Sequence, residues 1–129
     1  MNNKIRVLVV GLGSIGQRHA RLLSERAELD IYLCDSNVEL QQQAIKNLLK
    51  KPAACYSSYA SALKEGQPDI VFISVPNHLH VPMALDAMNN GADVFIEKPV
   101  SGSLEEARSL LIIVDNLNRF AQIGYMLRF

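Results

Sequence analysis

Hydrophobic and polar positions follow two alternating periods along the chain, and this alternation predicts strands separated by helices. Short apolar runs rich in β-branched residues predict six strands, at residues 5–10, 30–34, 54–56, 70–75, 94–96 and 121–126. Between them, apolar residues recur three and four positions apart and predict helices over 15–25, 38–50, 58–65, 81–90 and 103–118. Strands that alternate with helices across short turns indicate a doubly wound α/β fold, a parallel sheet of about six strands with helices on both faces.

The same spacing predicts which face of each helix is buried. We expect the first helix to bury Ile15, His19, Leu22 and Leu23, the second Val38, Gln41, Gln42, Ile45, Leu48 and Leu49, and the fifth Ala107, Leu110, Leu111 and Val114. Gly66 is expected to cap the third helix, and Gly91 to stop the fourth.

A glycine motif lies where the first strand gives way to the first helix. Its residues are Gly11, Leu12, Gly13, Ser14, Ile15 and Gly16, in the G-x-G-x-x-G pattern. Gly11 would permit the tight turn, Gly13 would let the backbone approach a pyrophosphate, and Gly16 would let the helix pack on the strand. The free N–H groups at a helix N-terminus favour an anion, so the motif predicts a Rossmann-type dinucleotide site.

Asp35 ends the second strand, 19 residues after Gly16. At this position a carboxylate can accept hydrogen bonds from the adenosine ribose of NAD. It would repel the additional phosphate of NADP, by roughly 1 kcal/mol in water and about 4 kcal/mol at an effective dielectric near 20 for a separation of about 4 Å. No arginine or lysine follows in residues 36–38 to offset this repulsion, so the sequence predicts NAD in preference to NADP.

Composition and charge exclude several classes of protein. Thirteen basic and thirteen acidic residues leave no net charge, so we expect neither a nucleic-acid nor a membrane partner. Cys34 and Cys55 have no neighbouring cluster of ligand residues, so we expect no metal site and two reduced structural thiols. The N-terminal apolar run is too short for a signal peptide, and we expect a cytoplasmic protein.

Polar and charged residues of the kinds found in binding sites follow several of the predicted strands. In a parallel sheet the ligand lies beyond the carboxyl ends of the strands. Besides the glycine turn and Asp35, three segments qualify: residues 75–80 with Pro76, Asn77 and two histidines, residues 97–99 with Glu97 and Lys98, and residues 124–129 with Arg128. We expect all five segments to meet at one edge of the sheet.

Together these motifs resemble the glucose-fructose oxidoreductase, inositol dehydrogenase and MocA family. The resemblance rests on residues 11–19, Pro76-Asn77-x-x-His80, Glu97-Lys98-Pro99 and Gly124-Tyr125-x-x-Arg128-Phe129, and it spans essentially the whole chain. It implies transfer of a hydride between NAD(P) and a hydroxyl-bearing carbon, usually of a sugar, inositol, nucleotide sugar or related polyol.

The resemblance also implies roles for individual residues. Lys98 would touch the nicotinamide ribose and the substrate hydroxyl, Glu97 would help to orient it, and Asn77 and His80 would line the nicotinamide half of the cleft. Lys98, Glu97 and His80 are therefore the candidate catalytic residues, and Lys98 and Arg128 the candidate substrate contacts. The candidate cofactor contacts are Gly11, Leu12, Gly13, Ser14, Ile15, Gly16, Asp35, Ser74, Pro76, Asn77, His80, Glu97 and Lys98. We expect His78 to face solvent and His19 to be a packed or capping residue.

Family members continue into a second domain that contributes substrate contacts. We therefore expect residues 1–129 to be the NAD(P)-binding domain, able to bind cofactor with little turnover, and to form a homo-oligomer through exposed surface near the sixth strand and fifth helix. Two other classes stay open. A nucleotide-sensing Rossmann module would keep the glycine turn and Asp35 without needing Lys98 or His80, and a methyltransferase using S-adenosylmethionine would need no Glu97-Lys98-Pro99 segment.

Overall fold

The computed structural model describes residues 4–97 and 104–124. Over these residues strands and helices alternate: β1 Ile5–Val10, α1 Ser14–Ser24, β2 Leu29–Cys34, α2 Val38–Asn47, β3 Ala54–Tyr56, α3 Tyr59–Gly66, β4 Ile70–Ile73, α4 His80–Asn89, β5 Asp93–Glu97, α5 Leu104–Leu117 and β6 Ala121–Gly124. A short 3-10 turn, Asn77–Leu79, precedes α4. The predicted start of the fifth helix at residue 103 and the predicted strand end at 125–126 lie outside the described residues.

The six strands form one sheet in the order β3-β2-β1-β4-β5-β6, and the described pairs are all parallel. The order reverses direction between β1 and β4. In open α/β sheets a ligand binds at such a switch point, in the crevice beyond the carboxyl ends of the strands. The expected doubly wound Rossmann-type fold is therefore confirmed.

The sheet separates two hydrophobic layers. On one face Leu8 of β1 and Ile73 of β4 belong to a layer shared with α3, α4 and α5. On the other face Val9 and the turn residue Leu12 pack with Ala20 of α1 and with α2. The last four residues of β1 are buried, as expected for a strand covered on both faces. The turn that follows β1 thus extends directly from a strand that is buried in the core.

The buried face of α1 was predicted only in part, since His19 and Leu23 are half-buried and packed as expected. Ile15 and Leu22 are 55% and 48% exposed, whereas Gly16, Ala20 and Ser24 are buried. Small residues let the helix approach the sheet closely, so the largest apolar side chains were the wrong guide to this face.

The faces of α2 and α5 were also predicted only in part. In α2 the buried residue is Ala44, while Val38, Ile45 and Leu49 are exposed, and the helix ends at Asn47 rather than at residue 50. In α5 Leu110 is buried but Leu111 is 68% exposed.

Two helix ends test the predicted glycine positions. The left-handed residue after α3 is Gln67, with a φ of 48°, and not Gly66, which remains helical and packs near Tyr32 and Tyr56. Gly91 follows the end of α4 with a φ of 90°, as predicted for its stop.

Candidate functional site

The glycine turn is held between β2 and β4 by backbone hydrogen bonds. The Gly11 N–H donates to the Cys34 carbonyl at 2.9 Å, and the Ser74 N–H donates to the Val10 carbonyl at 2.9 Å. Gly11 has a φ of +89°, and a Cβ there would lie 2.2 Å from the Ser74 carbonyl oxygen. Only glycine adopts this conformation in this space without strain.

The other two motif glycines have contrasting surroundings. A Cβ on Gly16 would lie 1.7 Å from the Gly11 carbonyl oxygen, so this glycine is required for α1 to pack against the turn. A Cβ on Gly13 would meet no atom within 4 Å. The protein itself therefore does not explain Gly13, whereas a ligand lying against the turn would.

The N-terminus of α1 is open to an anion. Gly13 is the N-cap residue, no side chain caps the first turn, and no acidic residue lies in it. The motif residues Ser14 and Ile15, which begin the helix, are exposed. Because the first N–H groups of a helix have no partner within the helix, they form a site for a phosphate.

Asp35 lies beside this turn with its carboxylate fixed. One oxygen accepts from the Leu12 N–H at 2.8 Å, and the other accepts from the Asn37 N–H at 2.8 Å. A carboxylate offers about four acceptor positions, so two remain for the hydroxyls of a ribose. The Asp35 carbonyl is held in turn by the Gln41 amide at 2.6 Å, which fixes the whole segment.

A cleft of about 440 Å³ opens along this edge of the sheet. Its walls include Gly11, Gly13, Asp35, Ser74 and Pro76, all of them predicted cofactor contacts. The Ser74 hydroxyl is buried and has no hydrogen-bond partner among the residues that the structure describes. Buried polar groups are normally paired, so this hydroxyl points to a ligand in the cleft.

Sequence reasoning missed part of the wall. Ser57, Tyr59 and Met83 also line the cleft, and the Tyr59 hydroxyl donates to the Met83 carbonyl at 2.6 Å. Burial raises the pKa of the Tyr59 phenol well above its usual value, so it stays a neutral donor. The rule that ligands lie beyond strand ends would have found Ser57 and Tyr59, but β3 has only three residues and gives a weak signal.

The segment after β4 places its polar residues differently. Asn77 and His78 are exposed, as expected for His78, whereas His80 is 1% exposed. The His80 Nε2 lies 2.7 Å from the Val75 carbonyl, and because a carbonyl only accepts, this nitrogen carries the proton. This bond holds the ring inside the fold, and the catalytic and cofactor roles of His80 stay predictions.

Glu97 is the last residue of β5, and its carboxylate accepts a hydrogen bond from His19 Nε2. The sequence interpretation treated these two residues separately, because nothing in their spacing links α1 to β5. Lys98 and Arg128, the remaining predicted catalytic and substrate residues, lie outside the described residues.

The two cysteines are free thiols. Burial raises the pKa of Cys34 to about 12, and burial also raises the pKa of Cys55, whose thiol lies 3.3 Å from the Gln41 amide oxygen. Both thiols therefore stay protonated at neutral pH. Within residues 4–97 and 104–124 no three histidine, cysteine, aspartate or glutamate residues are grouped so as to hold a metal ion, and none of the helices there is long and apolar enough to span a membrane.

Comparison with known proteins places this geometry among cofactor-binding domains. Residues 5–125 match the family described as an oxidoreductase family with an NAD-binding Rossmann fold. A family 109 glycosyl hydrolase protein of Akkermansia muciniphila is 34% identical over 116 residues, covering 84% of this chain and 24% of the relative. The rhizopine catabolism protein MocA of Rhizobium meliloti is 28% identical over 126 residues, covering 98% of this chain and 39% of the relative.

A solved structure shows the same fold. The crystal structure of myo-inositol 2-dehydrogenase from Lactobacillus plantarum superposes with a TM-score of 0.84 at 27% identity, covering 94% of this chain and 36% of that one. The chain thus spans between about a quarter and two fifths of the length of these relatives.

Proposed function

Because the chain belongs to the oxidoreductase family with the NAD-binding Rossmann fold, we propose that it is the cofactor domain of a dehydrogenase acting on a hydroxyl-bearing carbon. The observation that carries the proposal is that three groups share one cleft. They are the uncapped N-terminus of α1, the fixed Asp35 carboxylate and the Ser74 hydroxyl, which has no hydrogen-bond partner among the described residues. Each of these groups fits one part of a dinucleotide.

Different residues of the chain would bind different parts of the dinucleotide. The first N–H groups of α1 hold the pyrophosphate, with Gly13 providing the close approach. Asp35 accepts from the adenosine ribose, and Ser74 supplies a hydroxyl between the two halves of the site. NAD, when bound, supplies the acceptor for a hydride.

We also propose roles for Glu97 and for two residues outside the described ranges, Lys98 and Arg128. Lys98 would exchange a proton with the substrate hydroxyl, since a lysine beside a positive nicotinamide and partly removed from water has a lowered pKa. Glu97 would orient that site, and Arg128 would contact the substrate. We place the substrate among polyols and sugars, in line with the solved relative named as an inositol dehydrogenase.

A second candidate substrate is a glycoside, favoured by the 34% identical relative that is named as a glycosyl hydrolase. Formation of NADH with myo-inositol would support the first candidate. Release of p-nitrophenol from an aryl glycoside would support the second.

We also propose a setting for the domain. Substrate contacts would come from a second domain, which the greater length of the relatives supports. Free thiols support a reducing, cytoplasmic location. Exposed Leu111, Ile112 and Phe120 support a homo-oligomer, because such apolar surface favours association.

Titration calorimetry with NAD and NADP tests the cofactor proposal. The chain should bind NAD more tightly than NADP. Asp35→Asn should weaken the binding of NAD by about tenfold, as expected for one charged hydrogen bond, and should reduce the difference between the NAD and NADP affinities. Asp30→Asn, at the opposite end of β2, is the matched control and should leave both affinities unchanged. Equal dissociation constants for NAD and NADP in the unaltered chain would refute the role of Asp35.

A further inference from the structure

The contact between His19 and Glu97 is less exposed than the ion pairs of the described residues. Their side chains are 23% and 19% exposed, whereas both partners in each of the other three described pairs are at least 40% exposed. Exposed pairs contribute little, but a partly buried pair is screened less by water and salt. The contact is therefore a defined feature of the fold and not a transient surface pair.

The His19 ring is oriented by two aromatic side chains of the sheet. Its centroid lies 5.4 Å from that of Phe72 on β4 and 5.5 Å from that of Phe95 on β5. These two rings stack on each other with centroids 4.7 Å apart. The ring thus packs on an apolar surface, while its Nε2 donates to the Glu97 carboxylate.

Strand geometry explains why the two residues meet. Alternate side chains of a strand share a face, so Phe95 and Glu97 of β5 point to the same side of the sheet. That side also holds α1, which brings His19 over the stacked rings. The contact thus joins the phosphate-binding helix to the carboxyl end of β5.

The order of the strands shows which part of a dinucleotide lies nearby. Asp35 follows β2, on one side of the central β1, and holds the adenosine ribose in the proposed function. With the pyrophosphate at the N-terminus of α1, the nicotinamide half extends to the other side, over β4 and β5. Glu97 ends β5 on that side.

We propose that His19 is a positioning residue that holds the Glu97 carboxylate in place for the nicotinamide half of bound NAD. This inference rests on the proposed function as an NAD-binding domain. Glu97 makes the contact with the nicotinamide half, and His19 acts through Glu97. The Phe72 and Phe95 rings fix the direction of the His19 N–H.

The experiment compares NAD with ADP, which lacks both the nicotinamide and its ribose, by titration calorimetry on the full chain. His19→Phe keeps an aromatic ring over Phe72 and Phe95 but removes the donor. We expect it to weaken NAD binding by about tenfold, the effect of losing one charged hydrogen bond, and to change ADP binding by less than about twofold. His19→Gln keeps an N–H near the position of Nε2 and should restore most of the NAD affinity.

Glu97→Ala provides a second route that does not depend on the aromatic packing. It should weaken NAD binding as much as His19→Phe does. The double variant should lose no more NAD affinity than either single variant. Equal losses for NAD and ADP, no loss for either, or additive losses in the double variant would overturn the positioning role. If the unaltered chain binds neither compound, the proposed function itself fails.

Discussion

Replacing Gly16 by alanine tests the phosphate turn most sharply. The new Cβ would lie 1.7 Å from the Gly11 carbonyl oxygen, where ordinary contacts begin at 3.4 Å. The neighbouring atom is backbone, so no change of side-chain rotamer relieves the overlap. Either α1 or the turn must move by a distance comparable to the overlap.

The cost follows from known packing energies. Overpacking costs about 1–3 kcal/mol and occasionally more, and a backbone overlap of this depth belongs at or above the upper end. Alanine recovers up to about 1 kcal/mol through its higher helix propensity. We therefore expect a net loss of at least about 2 kcal/mol in the free energy of unfolding, or a Tm lower by at least roughly 8 °C at about 4 °C per kcal/mol.

Gly13→Ala is the matched control. Gly13 has a φ of −69° and no atom within 4 Å of an added Cβ, so the variant should fold with a Tm within about 2 °C of the unaltered chain. The methyl group would stand where the pyrophosphate approaches, and NAD affinity should fall at least about tenfold. Circular dichroism melting and calorimetry measure the two effects. A wild-type Tm for Gly16→Ala, or wild-type NAD affinity for Gly13→Ala, would refute the reasoning.

Two further predictions concern buried groups of the cleft. Because burial raises the pKa of the Cys34 thiol from 9.0 to about 12, Ellman's reagent at about pH 8 should label it only on unfolding. The free energy of unfolding should fall as the pH rises from 9.0 toward about 12, since only the unfolded thiol ionises in that window; rapid native labelling would contradict this. Tyr59→Phe removes the donor to the Met83 carbonyl and should cost about 1–2 kcal/mol in urea unfolding. Tyr56→Phe, the control, should stay within about 0.5 kcal/mol, and an unchanged unfolding midpoint for Tyr59→Phe would refute the role of this bond.

The fold was predictable because each strand and helix carries its own signal. Central strands such as β1 are continuous apolar runs, and the glycine motif marks the turn between strand and helix. The buried faces of α1 and α5 were less predictable, because their contacts depend on how closely each helix approaches the sheet. Gly16 and Ala20 form the α1 interface that Ile15 and Leu22 were expected to form.

The site was predictable where one residue follows one strand. Asp35 and the glycine turn lie at the edge of the cleft, as their positions after β2 and β1 indicated. The contact between His19 and Glu97 was not predictable, because it depends on the packing of α1 over the aromatic rings of β4 and β5. Nor could the sequence show that His80 turns inward to bond the Val75 carbonyl.

The pairing of β1 with β4 has a consequence for how the chain acquires its site during folding. Arg6 bonds the carboxylate of Asp69 across 63 residues, and the same strand pair closes the glycine turn against Ser74. Contacts of such separation form late, because the loop between them must first be closed. A nascent chain that ends before β4 holds the whole glycine motif and Asp35 but lacks one wall of the cleft. Binding of the cofactor therefore indicates that the two halves of the sheet have joined.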